Sequence, residues 1–189
     1  SASLTAPNGS SQRRLLRTVA SSGTIARTTL LEAHGTGTAL GDPIEVGSAH
    51  GALLSFSAGV RYQSFKANVG HLEPTAGAAG IVNVLAALET STAAPNAQLR
   101  TLNSHLRSYL SDGSAFAANV GDSTPAAPSL LDGRVSSFGF SGTIAHTLHT
   151  IVEKDDEEKS QVLGENVLVS RGISLFRKSA PFSTTSHLR

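Results

Sequence analysis

The chain has 189 residues, 39% of them hydrophobic and 15% charged, with 15 basic and 14 acidic side chains and a formal net charge of +1. That length and apolar content support one domain of ordinary size with a real core. The near-neutral balance, with no basic stripe interleaved with aromatics, removes nucleic acid from the expected partners.

The sequence contains no cysteine, so it holds no disulfide framework, no thiolate metal site and no thiol nucleophile. Ser1-Ala2-Ser3-Leu4-Thr5 has no charged region followed by an apolar run, and no stretch approaches the roughly 18 apolar residues that span a bilayer. A soluble, cytoplasmic protein with no membrane partner is the expectation. Methionine is absent even at position 1, so the chain reads as a piece of a longer polypeptide.

Gln12 to Ser22 places Leu15, Leu16, Val19 and Ala20 on one face at helical spacing, with Gly23 as the C-terminal cap. Thr28 to Ala33 is β-branched and apolar and predicts a strand running into the glycine-punctuated turn from His34 to Gly41. Asp42-Pro43-Ile44-Glu45 then opens a helix to about Leu54, with Asp42 at the N-cap, Pro43 in the first turn and Glu45 reaching back to the cap amide.

Val60 to Phe65 predicts a second strand, and a third helix starts near Pro74 and runs to Leu88. Almost every residue of that helix is apolar or small, so no face suits water and a buried central helix is expected. From Asn96 to about Leu131 the weak periodicity predicts a surface excursion around a short helix near Leu99 to Leu110. Val135 to Thr143 and Ala145 to Val152 read as a closing hairpin around a Gly-Ser-Gly bend. The globular pattern ends there, giving a domain over 1–153 and a charged linker or tail over 154–189 that begins in the charge run Glu153 to Lys159.

A strand, a glycine turn with histidine and a capped helix bring a side chain and several amides to one point at a helix entrance. The nucleotide-loop alternative fails on spacing: Gly35, Gly37 and Gly41 form G-x-G-x-x-x-G, no P-loop lysine follows, and Val60 to Phe65 ends without an acid for a ribose. His34 alone reads as a histidine satisfied by turn amides. His71, however, stands before the next helix with Lys66 five residues earlier, so two strand ends in adjacent βα units present polar groups that converge.

The positive end of a helix dipole favours neutral imidazole, so both histidines suit N–H donation to a developing anion such as an enolate. A metal would need a third ligand from Asp42, Glu45 or His50, and neither H-x-x-x-H nor H-E-x-x-H spacing occurs; no metal is expected. Phe138-Gly139-Phe140-Ser141-Gly142-Thr143 reads either as a tight turn between aromatic core residues or as a place where a backbone N–H approaches a ligand closely.

Taken in order, Glu32 to Thr38 with Gly41 to Glu45, then Ser64 to His71, then Ser136 to Thr143 resemble the β-ketoacyl synthases of polyketide and fatty-acid biosynthesis over about residues 3 to 153. The opening Leu4 to Gly9 is also similar to the segment that precedes these motifs. The resemblance implies an α/β thiolase-like layered fold, of which this chain is the second, C-terminal half; the family's cysteine nucleophile lies in the first half.

It implies decarboxylative condensation of an acyl thioester with a malonyl thioester. His34 and His71 would donate to the malonyl thioester oxygen, and Lys66 would organise the site, paired with Glu45. Thr36 and Thr38 would contact the phosphopantetheine arm of an acyl carrier protein, which serves as substrate carrier without any covalently bound cofactor. The Phe140 N–H would serve an oxyanion hole, and Phe138 and Phe140 would gate the acyl pocket. The implied partners are the cysteine-bearing half, the carrier protein and a second copy in a homodimer.

Two departures stand out: Ile144 replaces the family's asparagine, and Thr147-Leu148-His149 replaces a Val-Ile-Leu type of strand, changes expected to loosen the loop carrying Phe140. They keep open a non-catalytic remnant that binds a carrier or synthase partner. Decarboxylation without condensation is a third reading, because it needs the histidines but not the cysteine. An isolated half would expose the apolar face that packs on its missing counterpart and would self-associate.

Overall fold

The computed structural model describes residues 7–20, 29–54, 60–110, 115–116, 132–140, 142–152 and 167–176. Helix α1 (Gly9–Ala20) leads to strand β1 (Thr29–Glu32), helix α2 (Gly41–Leu53) and strand β2 (Val60–Gln63). A single helical turn, α3 (Lys66–Val69), and a 3₁₀ turn, Glu73–Thr75, precede α4 (Ala76–Thr90). A second 3₁₀ segment (Ser104–Leu110) is followed by β3 (Ala115–Phe116), β4 (Asp132–Phe138), β5 (Ile144–Val152) and β6 (Val167–Phe176).

The strands form one six-stranded sheet in the order β3-β2-β1-β4-β5-β6. β3, β2, β1 and β4 run parallel, and β5 pairs antiparallel with both β4 and β6. β1 is buried along its whole length, as a parallel strand covered on both faces should be. Its neighbours Leu30 and Leu31 enter opposite cores: Leu31 joins Leu16, Val46, Leu53, Tyr62 and Leu106 beneath α1 and α2, whereas Leu30 joins Val84, Leu88 and Val135 beneath α4. The two-residue alternation of the strand thus divides one apolar run between two layers, and each fully buried leucine contributes about 2 kcal/mol.

Glycines let α4 lie close to the sheet. A Cβ on Gly80 would sit 3.0 Å from Glu32 Cγ and 3.3 Å from Val135 Cγ1, and one on Gly133 of β4 would collide with Val84 Cγ1. The uniformly apolar sequence of α4 predicted burial on all sides, but the structure buries one stripe, Ala76, Gly80, Val84, Ala87 and Leu88, and leaves Val82 66% exposed. Only the sheet-facing side meets a packed layer among the described residues.

Helix α1 is described as far as Ala20, and the expected end at Ser22 and cap at Gly23 lie outside the described residues. The closing hairpin forms with Phe138 opposite Ile144. Its turn is held by Gly139 N donating to Thr143 O at 2.7 Å and Gly142 N to Gly139 O at 3.0 Å, while Ser141 lies outside the described residues. The polar Thr147-Leu148-His149 segment still forms strand: Thr147 and His149 share a face, with Thr147 Oγ1 3.0 Å from His149 Nε2. His146 is met in the same way by Ser136 Oγ at 3.0 Å. Within the segment read as linker, Val167–Phe176 pairs along β5 as a sixth strand; its apolar punctuation at 167–169 and 173–176 is the signal that the neighbouring charge run outweighed. The charge run itself lies outside the described residues.

Candidate functional site

Because β1, β2 and β4 are parallel neighbours, the loops leaving their C-terminal ends gather at one edge of the sheet, where open α/β sheets bind their ligands. His34 follows β1, Lys66 and His71 follow β2, and Phe138 ends β4. The His34 and His71 rings lie 5.8 Å apart, edge to face, and the Phe138 ring lies 5.3 Å from His34.

Each histidine is held through Nδ1. His34 Nδ1 accepts the Phe138 N–H at 3.3 Å, and His71 Nδ1 accepts the Glu73 N–H at 2.9 Å. An imidazole that accepts at Nδ1 carries its proton at Nε2 when neutral, so both rings present an Nε2–H. Burial, with the charge of Lys66 and the neighbouring His71, lowers the His34 pKa to about 4. Glu73 has φ +47°, an uncommon conformation for a residue with a side chain, and its amide is the group that fixes His71.

Two buried carboxylates clamp the loops. Glu45 of α2 accepts the His34 N–H at 2.7 Å and the Gly35 N–H at 3.0 Å. Glu32 of β1, 2% exposed, accepts the Phe65 N–H at 2.6 Å and Asn83 Nδ2–H at 3.0 Å. Burial raises the pKa of both, that of Glu45 to about 7 in spite of its two amide donors. Burial also lowers the Lys66 pKa, opposed by the fields of Glu32 and Glu45.

The helix entrance differs from the expected capping box. Helix α2 begins at Gly41, whose N–H goes to Thr38 Oγ1 at 3.1 Å; Asp42 accepts from Gly37 N at 3.2 Å, and Glu45 spends its oxygens on the His34 loop. The side chains that looked like caps tie down the glycine turn instead. Gly35 is required there: its φ is +47°, and a Cβ would stand 2.7 Å from Ser64 Cβ and Oγ.

A cavity of about 470 Å³ beside Lys66 and His71 is lined by Gly35, Thr36 and Ser64 and closed by the 96–106 excursion. That excursion is stitched on by a reciprocal amide pair, Asn96 Oδ1 accepting Ser64 N and Asn68 Oδ1 accepting Ala97 N, both at 2.8 Å. Thr36 and Thr38 are exposed, and Phe140 stands 86% exposed on the turn. The structure therefore brings His34, His71, Lys66, Glu45 and Phe138 together and leaves Phe140 projecting from the chain's surface. Sequence reasoning assigned no role to Glu32, Asn83, Asn68 or Asn96. An acid ending a buried strand was a usable signal for Glu32; the asparagines carried none. Among the described residues no three His, Cys, Asp or Glu side chains cluster as metal ligands, and no helix is long and apolar enough to cross a membrane.

This layered α/β sheet is a thiolase-like fold, and it carries His34, His71 and Lys66 at the ends of its adjacent strands β1 and β2. The chain belongs to the family described as β-ketoacyl synthase, C-terminal domain, whose sequence model matches residues 1–100. It is 39% identical over 151 residues to the highly reducing polyketide synthase azaB of Aspergillus niger, covering 77% of this chain and 6% of that protein. It is 38% identical over 150 residues to erythronolide synthase EryA3 of Saccharopolyspora erythraea, covering 77% of this chain and 5% of that protein. The oxazolomycin ketosynthase domain OzmH KS7 of Streptomyces albus JA3453 superposes with a TM-score of 0.67 at 28% identity over 78% of this chain and 26% of that one. Ketosynthase twelve of the bacillaene polyketide synthase of Bacillus amyloliquefaciens gives a TM-score of 0.66 at 29% identity, covering 77% and 27%. The chain thus spans a small fraction of the relatives it matches.

Proposed function

We propose that this chain forms the decarboxylation side of a β-ketoacyl synthase site, acting with a cysteine-bearing first half to condense an acyl thioester with a malonyl thioester. The observation that carries the reading is the pair of Nδ1-anchored imidazoles, each with its proton on Nε2, with ring centroids 5.8 Å apart. When a malonyl thioester loses carbon dioxide, its thioester oxygen gains charge as the enolate forms. Two fixed Nε2–H donors stabilise that charge without changing protonation state, each contributing about 3 kcal/mol.

Lys66 adds positive field beside them, and the fields of the buried Glu32 and Glu45 favour its charged form against the cost of burial. Thr36 and Thr38 border the approach for a phosphopantetheine arm; Thr38 accepts from Gly41 N and keeps its hydroxyl proton for donation. The Phe140 N–H supplies an acyl oxyanion donor, and the exposed Phe140 and Val82 meet the first half of the domain in a dimeric enzyme. An acyl carrier protein brings the substrates.

The test is carbon dioxide release from a malonyl thioester by the polypeptide that carries this chain. His34→Ala and His71→Ala are each expected to slow release about 10²-fold to 10³-fold. Release unchanged in both variants refutes the donor roles. Release without a β-ketoacyl product favours decarboxylation alone.

A further inference from the structure

Strand β4 is held on both sides only as far as Val135, the last residue opposite β1; from Ser136 to Phe138 its described ladder partner is β5 alone. That outer end carries the Phe138 N–H that His34 Nδ1 accepts at 3.3 Å. Such a bond is already long, so a displacement of about 0.3 Å is enough to lose it.

One side-chain hydrogen bond crosses this stretch among the described residues. Ser136 Oγ lies 3.0 Å from His146 Nδ1, and the two residues are directly opposed in the ladder. Phe138 and Ile144 are the next pair on the same face, about 7 Å along the strand. His146 is 1% exposed, and burial, with the charges of Arg134 and His149, holds its pKa well below the ordinary imidazole value. Its Nε2 is buried with no hydrogen-bond partner among the described residues, which costs stability. Packing alone would be better served by an apolar side chain, so what the imidazole contributes is its bond to Ser136. The strand's second histidine makes the contrast. His149 is also buried, but its Nε2 meets Thr147 Oγ1 of its own strand, and it stands opposite Gly133, where β1 still supports β4.

We propose that His146 is a positioning residue for the histidine pair: through Ser136 it fixes the outer end of β4 and so keeps the Phe138 N–H on His34 Nδ1. The inference rests on the reading of His34 as an Nε2–H donor to the enolate oxygen.

The test uses the polypeptide that carries this chain. Histidine nitrogen spectra report the His34 tautomer, and carbon dioxide release from a malonyl thioester reports the reaction. Ser136→Ala and His146→Leu are each expected to give mixed Nδ1–H and Nε2–H signals for His34 and to lower kcat about tenfold or more with little change in KM. His146→Asn, whose carboxamide can still meet Ser136 Oγ, is expected to restore both readouts, and His149→Leu to leave both unchanged. Hydrogen exchange over residues 132–138 and 144–152 identifies any variant that loses the hairpin; Ser136→Ala, the smallest change, decides the matter where His146→Leu does not fold. An unchanged His34 spectrum in folded Ser136→Ala, equal disturbance by His149→Leu, or no rescue by a folded Asn variant overturns the proposal. A disturbed His34 spectrum with carbon dioxide release unchanged supports the positioning role and refutes instead the donor role of His34.

Discussion

Glu45→Gln separates what the buried carboxylate does for the site from what it does to stability. Raising a carboxyl from its ordinary 4.5 to about 7 corresponds, at about 1.4 kcal/mol per pH unit, to roughly 3 kcal/mol. The sign follows from linkage: between those values the folded state binds the proton more tightly than the unfolded state, so this contribution is fully present below pH 4.5 and is lost as pH rises through about 7. Glutamine imitates the protonated acid, with one acceptor and one donor group. The variant is therefore expected to match the wild type at pH 4.5 and to be more stable by about 3 kcal/mol at pH 8 and above. Its NH₂ now faces one of the two loop amides, which shifts His34 and slows decarboxylation about tenfold or more. Denaturant-dependent hydrogen exchange over residues 29–54, measured across pH beside carbon dioxide release, reads both effects. A Gln variant less stable than the wild type at pH 8 refutes the reasoning, because the two amide bonds would then outweigh the desolvation.

Gly35→Ala forces a side chain into a left-handed position against Ser64 and is expected to destabilise the loop by about 1–3 kcal/mol, measured as faster exchange of the His34 and Gly35 amides. Gly133→Ala places a methyl group into Val84; α4 must shift off the sheet at about 1–3 kcal/mol, seen as a lower unfolding midpoint. His34, with a pKa of about 4, is expected to stay neutral throughout the range where ordinary imidazoles titrate, so its ring carbon resonances should move only near pH 4. Phe138→Pro removes the N–H that His34 Nδ1 accepts and should release that ring from its tautomer, giving a mixed Nδ1–H and Nε2–H nitrogen spectrum; an unchanged spectrum refutes the anchoring role.

The sequence by itself determined the alternation of strand and helix, the glycine turn after β1, the hairpin of β4 and β5, and the identity of the two histidines and Lys66. These features are local: a two-residue alternation, a proline at a helix start and a glycine needed at positive φ are written into a few adjacent residues. Only the tertiary structure decided the partners. Glu45 looked like a cap residue and serves the loop eleven positions earlier, because the first turn of α2 folds back beside the end of β1 and brings its carboxylate to His34 N. The tautomer of His34 is set by an amide 104 positions away, and Asn96 holds Ser64 across 32. The apolar face of α4 and the strand Val167–Phe176 were misjudged for the same physical reason. Composition reports how much surface can be buried, while the neighbouring layer or strand decides which surface is.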